Sequence, residues 1–284
     1  LTRSKRWLLI YIPVLAAALL LFMYSQNNWI GVTKYELRSD KLPGGFESYR
    51  IVQLSDLHSK RFGEDQRRLI RKVAALEPDL IVVTGDLTDR RIHDDEAALE
   101  LMTEAVKLAP VYYVHGNHER DHRDLASLDE KLTGAGVRIL RNEHETLPLG
   151  DGEIALLGVE DPLFNRVEDG DVDKMESHLR QALDGLDRSK LYTVLLSHRP
   201  ELFEVYVRYG IDLSLTGHAH GGQFRIPFVG GVYAPEQGFW PDYYEGYHEA
   251  GSSSMLISRG LGNSRFPLRL FNRPEIVLVE LRPQ

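Results

Sequence analysis

"RIVQLSDLHSKRFGEDQRRLIRKVAALEPDLIVVTGD" occupies residues 50 to 86 and sets out the plan of the chain. It opens with an apolar run of strand length, "RIVQLS" (50 to 55), and closes with a second, "DLIVVTG" (79 to 85). Between them, "EDQRRLIRKVAALEP" places Leu69, Val73 and Leu76 on one helical face, and Pro78 follows as a stop. The pattern continues outward. "DEAALELMTEAVKLAP" (95 to 110) is a second helix of the same kind. Further strand-length runs follow at "VYYVHG" (111 to 116), "EIALLGVE" (153 to 160), "YTVLLSH" (192 to 198), "LSLTGH" (213 to 218), "MLISRG" (255 to 260) and "EIVLVEL" (275 to 281). Strands alternating with helices predict an α/β fold in which buried sheets are covered by helices. No Gly-, Ser- or Pro-rich linker divides the chain after residue 50, so residues 31 to 284 are expected to form one domain.

Composition narrows the chemistry. With 284 residues, 43% hydrophobic and 27% charged, the chain can bury a full core. It has no cysteine, which excludes disulfides, thiolate metal sites and a cysteine nucleophile, and leaves the eleven histidines as the residues to follow.

Residues 1 to 30 form a separate unit. From Trp7 to Tyr24 the sequence carries no charge, and at about 1.5 Å per helical residue this run spans the hydrocarbon thickness of a bilayer. Its length, and the position of Ala16, Ala17 and Ala18 inside it, favour a retained anchor over a cleaved signal segment. Arg3, Lys5 and Arg6 precede it, which predicts a cytoplasmic N-terminus and a body outside the cytoplasm, a single-pass protein of the cell membrane. Losing those three charges takes the formal net charge from −8 to −11. So acidic a body is a poor partner for nucleic acid, whose binding depends on phosphate neutralisation.

The polar residues that follow the strands collect into five motifs. "LSDLH" supplies Asp56 and His58, "VTGDL" supplies Asp86, and "VHGNHE" supplies Asn117 and His118. "LLSHRP" supplies His198, and "LTGHAHGG" supplies His218 and His220. Ligand sites in α/β sheets form beyond the carboxyl ends of strands, so the five are expected to converge. Any one of them alone is weak, because Gly, Asp and Asn serve ordinary turns equally well. Carboxylate, imidazole and amide oxygen together make a donor set of borderline to hard character, suited to manganese, zinc or iron. Two such ions side by side repel, and a bridging carboxylate lowers that cost; Asp86 is the natural bridge. Paired ions roughly 3.5 to 4 Å apart are the usual apparatus for in-line displacement at phosphorus.

The order D-x-H, G-D, G-N-H-E, H, G-H-x-H resembles the calcineurin-like metallophosphoesterases over nearly all of residues 50 to 284. The resemblance implies a sandwich of two mixed β-sheets flanked by helices, with a dinuclear site at the strand ends. It implies Asp56, His58, Asp86 and His220 at one metal, and Asp86, Asn117, His198 and His218 at the other. His118 would stand beside the scissile phosphate, protonating the leaving oxygen or stabilising the transition state, with Glu119 placed to orient it. Gly221 and Gly222 would let backbone pass closely behind the histidines. The reaction implied is hydrolysis of a phosphodiester or pyrophosphate by in-line attack of a hydroxide bridging two divalent metal ions. "GHAHGGQFRIPFVGG" and "SRGLGNSRFPLRLFNRPEIVLVEL" further resemble the membrane-anchored bacterial phosphodiesterases of the YkuE and YaeI type.

Two features bear on the substrate. The segment 224 to 247 carries Phe224, Phe228, Tyr233, Phe239, Trp240, Tyr243, Tyr244 and Tyr247, which read either as a lip for a small-molecule or lipid phosphodiester or as a packed loop. A related group that hydrolyses UDP-2,3-diacylglucosamine makes a lipid pyrophosphatase the alternative within the class. Outside it stand a protein phosphatase, disfavoured by an outward-facing body, and a non-catalytic metal-binding scaffold, disfavoured because no ligand of the motif is missing. His93, His115, His122, His144, His178 and His248 match no motif and are expected to be structural or surface residues.

Overall fold

The computed structural model describes residues 3–92, 94–164, 170–264 and 266–284, with side chains left out for 3–6, 8 and 9; His93 lies outside the described residues. A long helix, α1 (Arg3–Asn28), leads into β1 (Gly31–Ser39). Then come β2 (Tyr49–Leu54), α2 (Arg67–Ala74), β3 (Leu80–Thr84), α3 (Glu96–Ala105), β4 (Val111–Val114), α4 (Asn117–Arg120), α5 (Leu125–Gly134) and β5 (Arg138–Ile139). The second half runs through β6 (Glu143–Leu149), β7 (Gly152–Gly158), α6 (Asp171–Ala182), β8 (Tyr192–Leu196), α7 (Phe203–Arg208) and β9 (Leu213–Thr216). Two small hairpins follow, β10 (Arg225–Ile226) with β11 (Gly230–Gly231) and β12 (Tyr233–Ala234) with β13 (Gly238–Phe239), before β14 (Gly246–Ala250), β15 (Ser253–Ile257) and β16 (Glu275–Pro283).

The strands form two six-stranded mixed sheets, ordered β1-β16-β2-β3-β4-β5 and β14-β15-β9-β8-β7-β6. In the first, β2 to β5 are parallel and β16 runs antiparallel to β2. In the second, β15, β9, β8 and β7 are parallel, with β14 and β6 antiparallel at the edges. Central strands buried on both faces need apolar residues at every position, which is why β3 ("LIVVT") and β8 ("YTVLL") read as unbroken runs. One apolar layer lies between the sheets, with Ile51, Val82, Leu156 and Leu196 among its residues. A second covers the outer face of the first sheet with α2, α3 and α5, through Leu69, Leu101 and Leu128. A third covers the second sheet with α6 and α7, through Leu179 and Phe203. The result is the four-layer sandwich that the sequence implies.

This arrangement positions the site. The carboxyl ends of β2, β3 and β4 in one sheet and of β8 and β9 in the other meet at the same end of the sandwich. Buried Gln53 joins them, its Nε2 donating to Thr216 O at 2.8 Å and to Thr84 Oγ1 at 3.0 Å.

Candidate metal centre

Each motif residue sits just past a strand end, where the backbone must turn at once. Asp56, His58, Asp86, His218 and His220 all have positive φ, between 48° and 64°. Left-handed backbone is costly for residues other than glycine, and such strain gathers where a function requires it. The turns are fixed by hydrogen bonds that extend the strand pairing: Asp56 N to Gly85 O at 3.0 Å, His58 N to Asp86 O at 3.0 Å, and Gly217 N to His198 O at 3.3 Å. Gly222, at φ 75°, passes so close to Gly231 that a side chain there would overlap the neighbouring backbone.

The motif residues form two buried groups of donor atoms. Asp56, His58, Asp86 and His220 converge in one, and Asp86, His198 and His218 in the other. Asn117 joins the second group, its Oδ1 3.2 Å from His198 Nε2. Asp86 Oδ2 lies 3.5 Å from His58 Nε2 and 3.3 Å from His198 Nε2, so a single carboxylate oxygen faces both groups. The first sheet contributes Asp56, His58, Asp86 and Asn117, and the second contributes the three remaining histidines. All seven residues are brought together. Among the described residues, a third buried donor group, His58, Asp89 and His118, adjoins the two that the motifs predict.

The donor chemistry fits cations. His58 Nε2 faces His220 Nε2 at 3.0 Å, and His198 Nε2 faces His218 Nδ1 at 3.0 Å, beside buried carboxylates in both cases. Ring nitrogens this close need a proton or a metal ion between them. Two of the four rings are held from behind by hydrogen-bonded oxygens, as ligating imidazoles are. His198 Nδ1 donates to Thr84 O at 2.8 Å, and His218 Nε2 donates to Glu236 Oε2 at 2.5 Å. His58 Nδ1 makes no hydrogen bond and has Asp89 Oδ2 3.5 Å away, and His220 has Arg269 Nη2 3.5 Å from its Nδ1. Burial opposes a charge on His198, yet Asp86 and Asp56 pull its pKa up to about 10. The same buried carboxylates would attract a metal cation as they attract the proton.

His118 stands in the wall of a cavity of about 360 Å³ that also reaches Asp86, Asn117, Arg90, Arg91 and His218. Burial lowers its pKa to about 4, so the ring is neutral at neutral pH. Its Nδ1 accepts from Arg90 N at 3.4 Å, which leaves the proton on Nε2. Glu119 does not orient this ring. It is fully buried and aimed the other way, accepting from Asp86 N at 2.9 Å, Gly116 N at 2.8 Å and Thr88 N at 2.9 Å, so it braces the loop that carries Asp86. A two-carbon side chain reaches those three amides from the start of α4.

The sequence reading missed Asp89, Glu236 and Arg269. Asp89 follows Asp86 by three residues in "GDLTDR", and that spacing was available as a signal. Glu236 and Arg269 reach the histidines from distant loops and had none. Of the other histidines, His115 meets Asp129 at 2.9 Å, His122 meets Asp95 at 2.7 Å, and His144 donates to Ala182 O at 2.7 Å, all structural roles.

Known proteins share the pattern. Residues 49–222 match the model of the family described as calcineurin-like phosphoesterase. The chain is 31% identical over 264 residues to the uncharacterized metallophosphoesterase YkuE of Bacillus subtilis, covering 91% of this chain and 88% of YkuE. It is 28% identical over 266 residues to the phosphodiesterase YaeI of Escherichia coli, covering 91% of this chain and 90% of YaeI. A transmembrane protein with metallophosphoesterase domain from Danio rerio is 27% identical over 268 residues, covering 88% of this chain and 57% of that protein. With its buried histidine and aspartate clusters at the strand ends of a two-sheet sandwich, the chain belongs to the calcineurin-like phosphoesterase family of metal-dependent hydrolases.

Proposed function

We propose that this protein hydrolyses a phosphodiester or pyrophosphate at a pair of divalent metal ions while anchored in a membrane by its N-terminal helix. The observation that carries the reading is Asp86, whose Oδ2 lies within 3.5 Å of histidines in two separate donor groups. Asp56, His58, Asp86 and His220 would hold one ion, and Asp86, Asn117, His198 and His218 the other. Ions there would supply Lewis-acid charge for the phosphoryl oxygens and lower the pKa of water, and manganese, zinc and iron all suit the donors.

The protein's own residues supply the rest. His118, neutral and carrying its proton on Nε2, would offer a hydrogen bond from the cavity wall to the leaving oxygen and stabilise the charge that develops there as its bond to phosphorus breaks. Arg90 and Arg91 line the same cavity and add positive charge for an anionic substrate. Arg91 is fixed by a two-point pair with Asp89, at 3.0 and 2.7 Å.

The anchor reading is supported by α1, which has an apolar window over Ile10–Asn28 with a mean hydropathy of 1.5. Its carboxyl end supports retention over cleavage, because Ser25, Gln26 and the following Ile30 are buried against the body. A substrate from the membrane, including a nucleotide-linked lipid pyrophosphate, is favoured by the aromatic segment, where Phe228, Phe239 and Trp240 are exposed instead of packed.

The test uses the full chain in detergent, supplied in turn with manganese, zinc or iron(II). Substrates are an aryl phosphodiester, an aryl monoester and a nucleotide-linked lipid pyrophosphate. Metal-dependent turnover of the diester or the pyrophosphate is expected. No turnover of any substrate with any metal would leave a metal-binding scaffold as the reading.

A further inference from the structure

The apolar surface that hydrolysis leaves unused surrounds the β10–β11 hairpin. At its tip, Phe228 has a relative exposure of 110% and a positive φ of 69°, and Ile226 and Val229 are exposed beside it. A groove of about 400 Å³ runs between this tip and Phe271. A fully exposed ring on strained backbone does not contribute to the core.

Contacts connect this surface to α1. The Phe271 ring packs on Phe22 of α1, with centroids 5.4 Å apart. The hairpin's first strand is bonded to the same segment, Arg225 N donating to Leu270 O at 3.0 Å. The helix itself enters the body at a fixed position. Lys60 Nζ donates to Asn27 O at 2.5 Å and Arg68 Nη2 to Asn28 O at 2.7 Å, two basic side chains donating to the carbonyls that a helix leaves open at its carboxyl end. Arg269 N also donates to Asn27 Oδ1, at 3.1 Å. No free linker separates the helix from the surface around Phe271.

Depth follows from helix geometry. Phe22 lies two residues before Tyr24, the end of the apolar run, or about 3 Å inside it along the axis. Phe271, resting on Phe22, is therefore level with the boundary between hydrocarbon and headgroups. Trp29 lies just beyond, exposed, with the Arg273 guanidinium 5.4 Å from its ring centroid, a pairing suited to the headgroup layer.

We propose that the β10–β11 hairpin is a second membrane contact, inserting Ile226, Phe228 and Val229 with Phe271 into the headgroup–acyl boundary beside α1. The proposal rests on the reading of α1 as a retained anchor. It also gives the metal cavity a location: Phe266, in the cavity lining, packs on Phe224 immediately before the hairpin, at 5.2 Å. The mouth of the cavity is then held beside the lipid surface, where a lipid headgroup reaches it without leaving the bilayer. The contact is apolar and works on zwitterionic lipid, in spite of the acidic body.

The chain has no cysteine, so single cysteines report one position each. The full-length variants Phe228→Cys, Ile12→Cys and Ser189→Cys are labelled with an environment-sensitive fluorophore and reconstituted in phosphatidylcholine vesicles carrying a nitroxide high on the acyl chain. Phe228 and Ile12 are both exposed positions, as is Ser189 on the loop before β8, at the opposite end of the strands from the metal centre. The expected result is quenching of the Phe228 and Ile12 labels by about two-fold or more, with Ser189 unaffected. Quenching at Ile12 with none at Phe228 would overturn the hairpin contact and leave the anchor standing. A blue-shifted Phe228 label that lipid nitroxides do not quench would also overturn it, and would assign the surface to a second copy of the chain. Absence of quenching at both Ile12 and Phe228 would remove the anchor reading and this proposal with it.

Discussion

One carboxylate oxygen of Asp86 faces histidines from both sheets, so its charge serves two sites at once. Asp86→Asn should lower the metal content from about two equivalents toward one, because neutralising the shared ligand restores the repulsion between paired ions. Elemental analysis of the purified variant checks this, and two full equivalents would remove Asp86 from the bridging role. His118 packs edge-on against His58, ring centroids 4.4 Å apart, but belongs to neither proposed ligand set, so its replacement should separate binding from chemistry. His118→Gln should keep both metals and lose roughly 10²-fold in kcat, with a smaller loss for leaving groups of low pKa. A uniform loss across leaving groups would place the ring at the phosphoryl oxygens instead of the leaving oxygen. Beneath the site, Arg199 is fully buried and pairs with Asp161 at 2.5 and 3.0 Å. Burial alone would raise the Asp161 carboxyl, but Arg199 more than offsets it and holds the pKa below the usual 3.8. A depressed carboxyl contributes stability that is present above the unfolded value and lost as pH falls through the folded one. Asp161→Asn should therefore cost about 3 kcal/mol near pH 7, where a buried guanidinium loses its fully buried carboxylate partner and keeps only Glu201 at 3.0 Å and Glu236 at 3.4 Å, and the difference from the parent should shrink below about pH 4. Denaturation curves at the two pH values measure it.

At the scale of elements, the site depends on how the loop after β3 is bound to the start of α4. Glu119 joins them through three backbone amides and Thr88 Oγ1. Glu119→Gln places an amide NH2 against N–H donors on one side or the other, at a cost of about 1–3 kcal/mol for the unsatisfied group. The loop carrying Asp86 should loosen, so weaker metal binding is expected together with a lower melting temperature. Titration calorimetry with manganese and thermal unfolding test the two halves separately; weaker metal binding at unchanged stability would mean that Glu119 is no brace. The eight strands legible in the sequence are β2, β3, β4, β7, β8, β9, β15 and β16, all apolar because each lies inside a sheet. The edges were not legible. β1 alternates between half-buried and exposed residues, and β6 presents "EHETLPL", so neither shows an apolar run. Their pairing, β1 with β16 and β6 with β7, comes from backbone hydrogen bonds that leave no mark on composition.

At the scale of the molecule, α1 and the body are joined at the helix's last turn. Ile30 is buried in the layer beneath the first sheet, and the capping side chains Lys60 and Arg68 belong to the segment from β2 to α2. A chain starting at residue 31 should therefore be less stable than one starting at residue 21. The loss of Ile30 burial, about 1.5–3 kcal/mol, corresponds to a melting temperature lower by roughly 3 to 12 °C at this size. Equal melting temperatures for the two truncations would show that the helix end adds nothing to the body.

The sequence by itself determined the strand–helix alternation, the apolar N-terminal helix and the identity of the residues that gather at the strand ends, because each depends on local residue type and spacing. Tertiary structure decided the rest. Glu236 supports the ring of His218 from a distant loop, Asp89 came to lie beside His58, Glu119 turned from His118 to the backbone, and Phe271 came to rest on Phe22, 249 positions earlier in the numbering. Such contacts join residues distant in sequence through shape and burial, and a linear pattern holds no record of them until the sheets close on each other.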